Sequence, residues 1–253
     1  MGKILTVAIH KGGTGKTTLV SHLALYCLSV EKSVLVVDMD AQGNISSFFN
    51  SKPTEQGTSK LFFENSSIGP QKSLYENLHI IPADEGLFGV ERLPFEAAST
   101  FKIQLKKFAR NYDVIIIDTP PTMGFSMLAP LIASDFVVAP VIPDAYSVKG
   151  VRSLFSKIKA VKSKQNTSLN FLGLVINRWN SRNSQQCQMV KQFQENLPKQ
   201  LISQILGDRS AIANAAYEGK AVWDKPSGGA ARIAANEMLA VAREIMQKME
   251  IVK

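Results

Sequence analysis

A short glycine-rich segment near the start of the chain constrains its fold more than any other feature. The segment reads Lys11-Gly12-Gly13-Thr14-Gly15-Lys16-Thr17-Thr18. An apolar run at 4–9 precedes it, and apolar residues recur at helical spacing after it, which predicts the order strand, loop, helix. Glycines let backbone N–H groups approach phosphate, and a helix start adds positive charge there. A turn that only caps a helix is the alternative, but strand, loop and helix together favour a nucleotide site.

Two side chains of this loop are expected to bind the phosphates of a nucleotide and its Mg²⁺ ion. Lys16 is placed to reach the β- and γ-phosphates, and the Thr17 hydroxyl is placed to ligate Mg²⁺. A strict Walker A pattern requires glycine at position 10, where this chain has His10, so the loop is a deviant form. The predicted nucleotide-binding set also includes the other loop residues: Lys11, Gly12, Gly13, Thr14, Gly15 and Thr18.

Lys11 is not required to wrap a triphosphate, and taken alone it is equally well explained as a solvated side chain. The run from His10 to Thr18, however, resembles the deviant Walker A motif of the ParA/MinD ATPases. In that family the equivalent lysine reaches across a face-to-face dimer to the nucleotide of the partner subunit. The resemblance implies that Lys11 acts on the other active site of an ATP-bound homodimer.

A pair of acids ends the next predicted strand. Residues 34–37 are apolar and lead into Asp38 and Asp40, and acids at such a strand end lie beside the crevice of an open α/β sheet. Residues 38–44 resemble switch I of the same family, with Ala41 in place of the usual proline. The resemblance implies that Asp40 positions the attacking water and that Asp38 lies beside the metal. Turn or helix-capping acids are the alternative.

A third acid follows four branched residues, Val114 to Ile117, which predict a buried strand. Asp118 stands at its end as a Walker B acid, and we expect it to hold a water on Mg²⁺. The following Thr119-Pro120-Pro121 turn resembles the family's switch II. Three acidic or phosphate-binding strand ends in this order are rarely accidental.

The alternation of strand and helix signals predicts one α/β domain over 1–253. A chain of 253 residues with 45% hydrophobic content can bury one such core. We expect a doubly wound, mostly parallel sheet of seven or eight strands with helices on both faces. Residues 51–73 are expected to form a long loop or short helices near the nucleotide. Further strands are predicted at 78–82, 136–141, 171–177 and, more weakly, 200–206, with helices at 101–109 and 230–249.

The sequence also argues against several classes of protein. It contains no apolar run of about 18 residues, and its first residues enter a strand rather than a signal peptide. Cys27 and Cys187 stand alone, which favours a reducing cytoplasm and disfavours a relative with an iron–sulfur cluster. We therefore expect a cytoplasmic location.

Basic residues are concentrated in the second part of the chain. Residues 1–148 hold 12 Lys and Arg against 14 Asp and Glu, whereas residues 149–253 hold 17 against 7. One predicted helix carries an apolar stripe and an outer basic face with no acid, a pattern that attracts phosphate backbones without reading sequence. A solvated face that only aids solubility is the alternative. The predicted DNA-binding residues are Lys149, Arg152, Lys157, Lys159, Lys162 and Lys164, with Arg182, Arg209 and Arg232 as further contributors.

The adenine side is assigned by resemblance alone. Residues 205–209 resemble the family's Ile-Pro-Arg-Asn loop, although the proline is missing. The resemblance places adenine near this loop and near a strand end. The residues it implies are Asn177, Pro143, Gly207 and Asp208.

The resemblance covers nearly the whole chain and indicates the short, Soj-like form of the family. It implies a partition ATPase whose ATP dimer binds nonspecific DNA on the nucleoid and is stimulated by a ParB-type partner, with no membrane expected. The alternative is a MinD-like, membrane-associated regulator. That reading needs a basic amphipathic tail, whereas acids interrupt residues 243–253.

Overall fold

The computed structural model describes residues 1–52, 54–64 and 68–253. Within these residues one sheet contains seven strands: β1 Lys3–Val7, β2 Val34–Asp38, β3 Gln71–Lys72, β4 Leu78–Ile81, β5 Val114–Asp118, β6 Phe136–Val141 and β7 Asn170–Ile176. Their order across the sheet is β3-β4-β2-β5-β1-β6-β7. All neighbouring pairs are parallel except β3 with β4. The predicted fold class is confirmed.

Helices cover both faces of this sheet. They are α1 Lys16–Ser29, α2 Asn44–Phe48, α3 Leu87–Val90, α4 Ala97–Phe108, α5 Phe125–Ala133, α6 Ser147–Lys164, α7 Ser184–Asn196, α8 Ser210–Tyr217 and α9 Gly228–Lys248. Buried residues of α3 to α7 pack on one face, and those of α1, α2, α8 and α9 pack on the other. The central strands are buried on both faces, which explains why they are nearly continuous apolar runs.

The strand order brings the three predicted motifs to one edge of the sheet. β5 lies between β2 and β1, so the carboxyl ends of these three strands are neighbours. In the register of the sheet, Asp118 is opposite Val7 on one side and opposite Asp38 on the other. The glycine loop follows β1 directly. Residues far apart in sequence therefore meet where open α/β sheets bind ligands.

The prediction of a strand at 200–206 is wrong. Gln200 ends a 3₁₀ turn, Pro198–Gln200, and the next residue, Leu201, forms an isolated bridge with Leu174 of β7. The amides of Ile202 and Leu206 donate to the carbonyls of Leu174 and Ile176, each at 2.9 Å. Two bonds four residues apart do not make a ladder, so the described sheet has seven strands rather than eight.

The segment 51–73 was expected to hold a long loop or short helices. It contains a 3₁₀ turn, Thr58–Phe62, and the short edge strand β3. Positions 53 and 65–67 of this prediction lie outside the described residues.

Candidate functional site

The glycine loop leads into α1 and leaves the first turn of this helix without a side-chain cap from the described residues. Gly13 and Gly15 have φ of 72° and 91°, a region that favours glycine. A Cβ at Gly15 would lie 2.4 Å from Nδ2 of Asn177, so a larger residue would displace that amide. No described side chain caps the first turn of α1, and its N–H groups remain available to an anion.

An open cavity of about 610 Å³ lies against this loop, a size suited to a nucleotide. The residues that line it include some that were predicted to bind the phosphates and some that were predicted to bind adenine. Pro143, predicted for the adenine side, does not line this cavity, and neither does Lys11. The lining residues are Gly12, Gly13, Thr14, Gly15, Lys16, Thr17, Thr18, Asp40, Gln42, Asn44, Pro121, Asn177, Arg178, Gly207, Asp208, Arg209, Ser210, Ile212 and Ala213.

Asp118 and Thr17 form the buried acidic corner beside the loop. The Thr17 hydroxyl donates to Oδ2 of Asp118 at 2.6 Å, while Oδ1 of Asp118 is buried with no hydrogen-bond partner among the described residues. Burial and the neighbouring Asp38 carboxylate raise the pKa of Asp118 to about 8. An orphaned carboxylate oxygen next to a hydroxyl fits a hard divalent cation, which prefers oxygen ligands and retains several waters.

Asp38 is held in place by its own strand end and by α2. Its Oδ2 accepts from the amide of Ser46 at 3.0 Å and from the Ser46 hydroxyl at 2.6 Å. Its Oδ1 accepts from the amide of Asp40 at 3.0 Å. Burial nevertheless raises the pKa of Asp38 to about 6. Asp40 lines the cavity, whereas Asp38 is not among its lining residues. No sequence motif indicated that Ser46 would bind Asp38.

Lys16 is buried at the base of the loop. Its Nζ donates to the carbonyl of Lys11 at 3.2 Å. Burial lowers the pKa of Lys16, and the Asp118 and Asp40 carboxylates oppose that effect. A partly desolvated ammonium group binds phosphate more strongly than a fully hydrated one.

Lys11 lies outside the cavity and is paired within its own chain. Its Nζ forms an ion pair with Oδ2 of Asp144, and the two side chains are about one-third exposed, at 29% and 34%. No motif in the sequence indicates that Asp144 pairs with Lys11. The ion pair places the charge of Lys11 at the edge of the site rather than over the loop.

Asn177, directly after β7, links the glycine loop to the cavity wall that contains Arg178 and Asp208. Its Nδ2 donates to the carbonyl of Thr14 at 2.8 Å, and its Oδ1 accepts from the amide of Arg178 at 2.9 Å. Arg178 in turn pairs with Asp208 at 3.2 Å across the half-exposed rim. The resemblance-based choice of Asn177, Gly207 and Asp208 thus falls on residues that line one cavity.

Arg209 was predicted to contact DNA, but it lines this cavity and its charge is already paired. Its Nε and Nη2 donate to the two carboxylate oxygens of Glu237 at 2.8 and 2.5 Å. The amide of Gly207 donates to the same carboxylate at 3.1 Å. Sequence reasoning missed Glu237, because one glutamate on a helix carries no signal of its distant partner. We therefore assign Arg209 to the wall of the cavity.

The remaining predicted DNA contacts lie on the surface. Lys149, Arg152, Lys159, Lys162 and Lys164 of α6 are exposed and Lys157 is half-buried. Arg182 and Arg232 are exposed on other elements. Among the described residues, no carboxylate lies within ion-pair distance of any of these eight side chains. Their charge is therefore available to a polyanion.

Within residues 1–52, 54–64 and 68–253, no helix combines the length and the apolar character needed to cross a bilayer.

Comparison with known proteins agrees with the geometry. A family model described as an AAA domain matches residues 2–171. The chain is 34% identical over 258 residues to Protein IncC of Escherichia coli, covering 98% of this chain and 70% of that protein. It is 30% identical over 261 residues to the chromosome partitioning protein ParA of Myxococcus xanthus, covering 98% and 89%.

Among solved structures, the fold resembles a Cyanothece McdA(D38A)–ATP complex. The TM-score is 0.83 at 20% identity, and the match covers 100% of this chain and 98% of that one. The matched family model, the two relatives and the strand ends that meet at the glycine loop lead to one assignment: this chain belongs to the ParA/MinD family of partition ATPases.

Proposed function

We propose that this ATPase binds ATP with Mg²⁺ in the 610 Å³ cavity and couples its hydrolysis to partition of a cargo along DNA. The observation that carries the proposal is the convergence of the loop, Thr17 and the orphaned Asp118 oxygen at one edge of the sheet. Thr17 is the residue that would ligate Mg²⁺ directly, and Asp118 would hold one of its waters. When bound, Mg²⁺ supplies positive charge that offsets the charge of the phosphates.

The catalytic assignment gives separate tasks to three side chains. Lys16 lies at the loop base and binds phosphate oxygens. Asp40 lines the cavity and orients the attacking water, since phosphoryl transfer depends mainly on positioning and charge. Lys11 would leave Asp144 and reach the nucleotide of a partner subunit in an ATP-bound homodimer. The partly exposed Lys11–Asp144 pair is weak enough to be exchanged for a triphosphate.

The unpaired basic residues of α6, together with Arg182 and Arg232, form the proposed surface for nonspecific DNA. Two such surfaces in one dimer bind the same polyanion with higher avidity than one. ATP binding then raises the affinity for nucleoid DNA. Hydrolysis, stimulated by a ParB-type partner, releases the protein from the DNA. The similarity to IncC and to a chromosome partitioning protein supports this role.

Helix α9 does not have the character of the membrane-binding helix that the MinD-like alternative requires. Met246 of this helix and Met249, which follows it, have no exposed surface, so their apolar side chains pack on the core. A membrane-binding helix would keep its apolar face free.

The test uses Asp40→Ala with ATP and Mg²⁺. This variant is expected to hydrolyse ATP slowly, to run as a dimer in light scattering, and to co-sediment with DNA but not with anionic liposomes. Glu85→Ala, which removes an exposed acid outside the cavity, serves as the control and should behave as wild type. A monomer at saturating ATP, or binding to liposomes only, contradicts the proposal.

A further inference from the structure

The segment that follows Asp118 connects the nucleotide cavity to α5. Pro121, within this segment, lines the cavity. The Thr119 hydroxyl donates to the carbonyl of Val7 at 2.8 Å and fixes the start of the segment on the sheet. His10, the residue that makes the loop deviant, contacts the Pro121 carbonyl through Nδ1 at 2.9 Å. The segment 119–126 therefore has one end anchored on β1 and its middle tied to the glycine loop.

The other end of the segment is held by Glu91, a residue that lies 34 positions upstream. α5 begins at Phe125, and the residue before it, Gly124, has no side chain to cap the helix. The Glu91 carboxylate takes that role: it accepts from the amide of Phe125 at 2.5 Å, from the amide of Ser126 at 3.2 Å, and from the Ser126 hydroxyl. A carboxylate that accepts the first N–H groups of a helix also meets the positive end of its dipole.

Gly124 has a steric reason to be glycine. A Cβ at this position would lie 1.9 Å from Oε2 of Glu91, and the three nearest atoms to it all belong to that carboxylate group. The backbone at Gly124 has φ −80° and ψ −159°, which other residues also adopt. The absence of a side chain at position 124 therefore serves the approach of Glu91 rather than an unusual backbone conformation.

We propose that Glu91 is a positioning residue for ATP hydrolysis. It fixes the start of α5 and thereby sets where Pro121 and the rest of segment 119–126 face the phosphates. Small displacements of groups around a reacting phosphate reduce the rate without a matching loss of ground-state binding. The proposal rests on the ATP hydrolysis described under Proposed function, and it adds a residue from the α3–α4 connection to the determinants of the rate.

The test compares Glu91→Ala, Gly124→Ala and the double variant with wild type, by steady-state ATP hydrolysis and by binding of a fluorescent ATP analogue. Each single variant is expected to lower kcat about fivefold, with KM and analogue affinity within about twofold of wild type. The double variant should be no slower than either single variant, because both remove the same contact. Glu96→Ala removes an exposed acid that makes no capping bond at the start of α4, and it should keep the wild-type kcat.

The alternatives give different results. The positioning role is overturned if both single variants keep the wild-type kcat. It is also overturned if the two single effects multiply in the double variant, because the two substitutions would then act independently. A fall in analogue affinity equal to the fall in kcat/KM assigns Glu91 to ground-state binding and overturns it as well. Lower thermal stability with unchanged kcat shows a purely structural cap. A wild-type protein that binds the analogue but hydrolyses no ATP overturns the proposed function itself.

Discussion

The two halves of the cavity are built in different ways. The phosphate half comes from the ends of three adjacent parallel strands, and its key groups, Lys16, Asp38 and Asp118, are buried. The other half, which we propose binds adenine and call the base half, comes from loops after β7, and two ion pairs hold it: Arg209 with Glu237, and Arg178 with Asp208. The first half is fixed by the sheet, whereas the second depends on side chains that are partly exposed to water. Binding energy and base selectivity should therefore be separable by mutation.

The largest effect is expected from Lys16→Ala in the phosphate half. Removing the desolvated ammonium group should weaken ATP binding by about 100-fold or more, since a charged hydrogen bond in a buried site is worth roughly 3 kcal/mol. Tripolyphosphate, which lacks a base, should lose affinity by the same factor. Isothermal titration calorimetry measures both, with Lys72→Ala as an exposed control. A much smaller loss for tripolyphosphate than for ATP would break the division into halves.

The second prediction concerns the stability of the ligand-free phosphate half. Burial raises the pKa of Asp118 to about 8, above its value of about 3.9 in the unfolded chain. The folded state then binds more protons than the unfolded state between these values, so the free energy of unfolding falls as pH rises through this window. Between pH 7 and 8, where Asp38, with a pKa of about 6, is already ionised, the fall should be about 1 kcal/mol.

Asp118→Asn should remove this fall, as followed by urea unfolding at several pH values without ATP or Mg²⁺. The matched control is Asp208→Asn in the base half, whose carboxylate is half-exposed and already paired with Arg178. That control should retain the wild-type pH dependence. If the free energy of unfolding fell with pH to the same extent in wild type and in Asp118→Asn, the Asp118 carboxyl group would not be the cause of the fall.

The contrast between the halves also explains what the sequence could predict. The loop, Asp40 and Asp118 are recognisable because short motifs follow apolar strands, and parallel strand ends must meet at one edge. The strand at 200–206 was predicted wrongly because an apolar stretch does not reveal whether its backbone bonds continue along a neighbour. Arg209 was assigned to the surface because its partner Glu237 is 28 residues away and carries no motif. Contacts such as Glu91 with Phe125 and Lys11 with Asp144 are likewise visible only in three dimensions.

The smallest effect is expected in the base half, from Arg209→Lys and Glu237→Gln. The planar guanidinium bonds both oxygens of Glu237, and the same carboxylate accepts from the amide of Gly207 on the cavity wall. Lysine cannot reproduce the two parallel bonds, and glutamine keeps only one acceptor. Each change should loosen the 207–209 loop and weaken ATP binding about fivefold, or roughly 1 kcal/mol, while tripolyphosphate binding stays unchanged.

The two variants should also be non-additive, since they disturb one pair. Calorimetric titration of ATP and tripolyphosphate into Arg209→Lys, Glu237→Gln and the double variant decides the matter. Arg232→Lys, which alters an exposed side chain of the same helix that carries Glu237, provides the control. If tripolyphosphate lost affinity together with ATP, the ion pair would support the whole cavity, and base recognition would not be a separate property of the loops after β7.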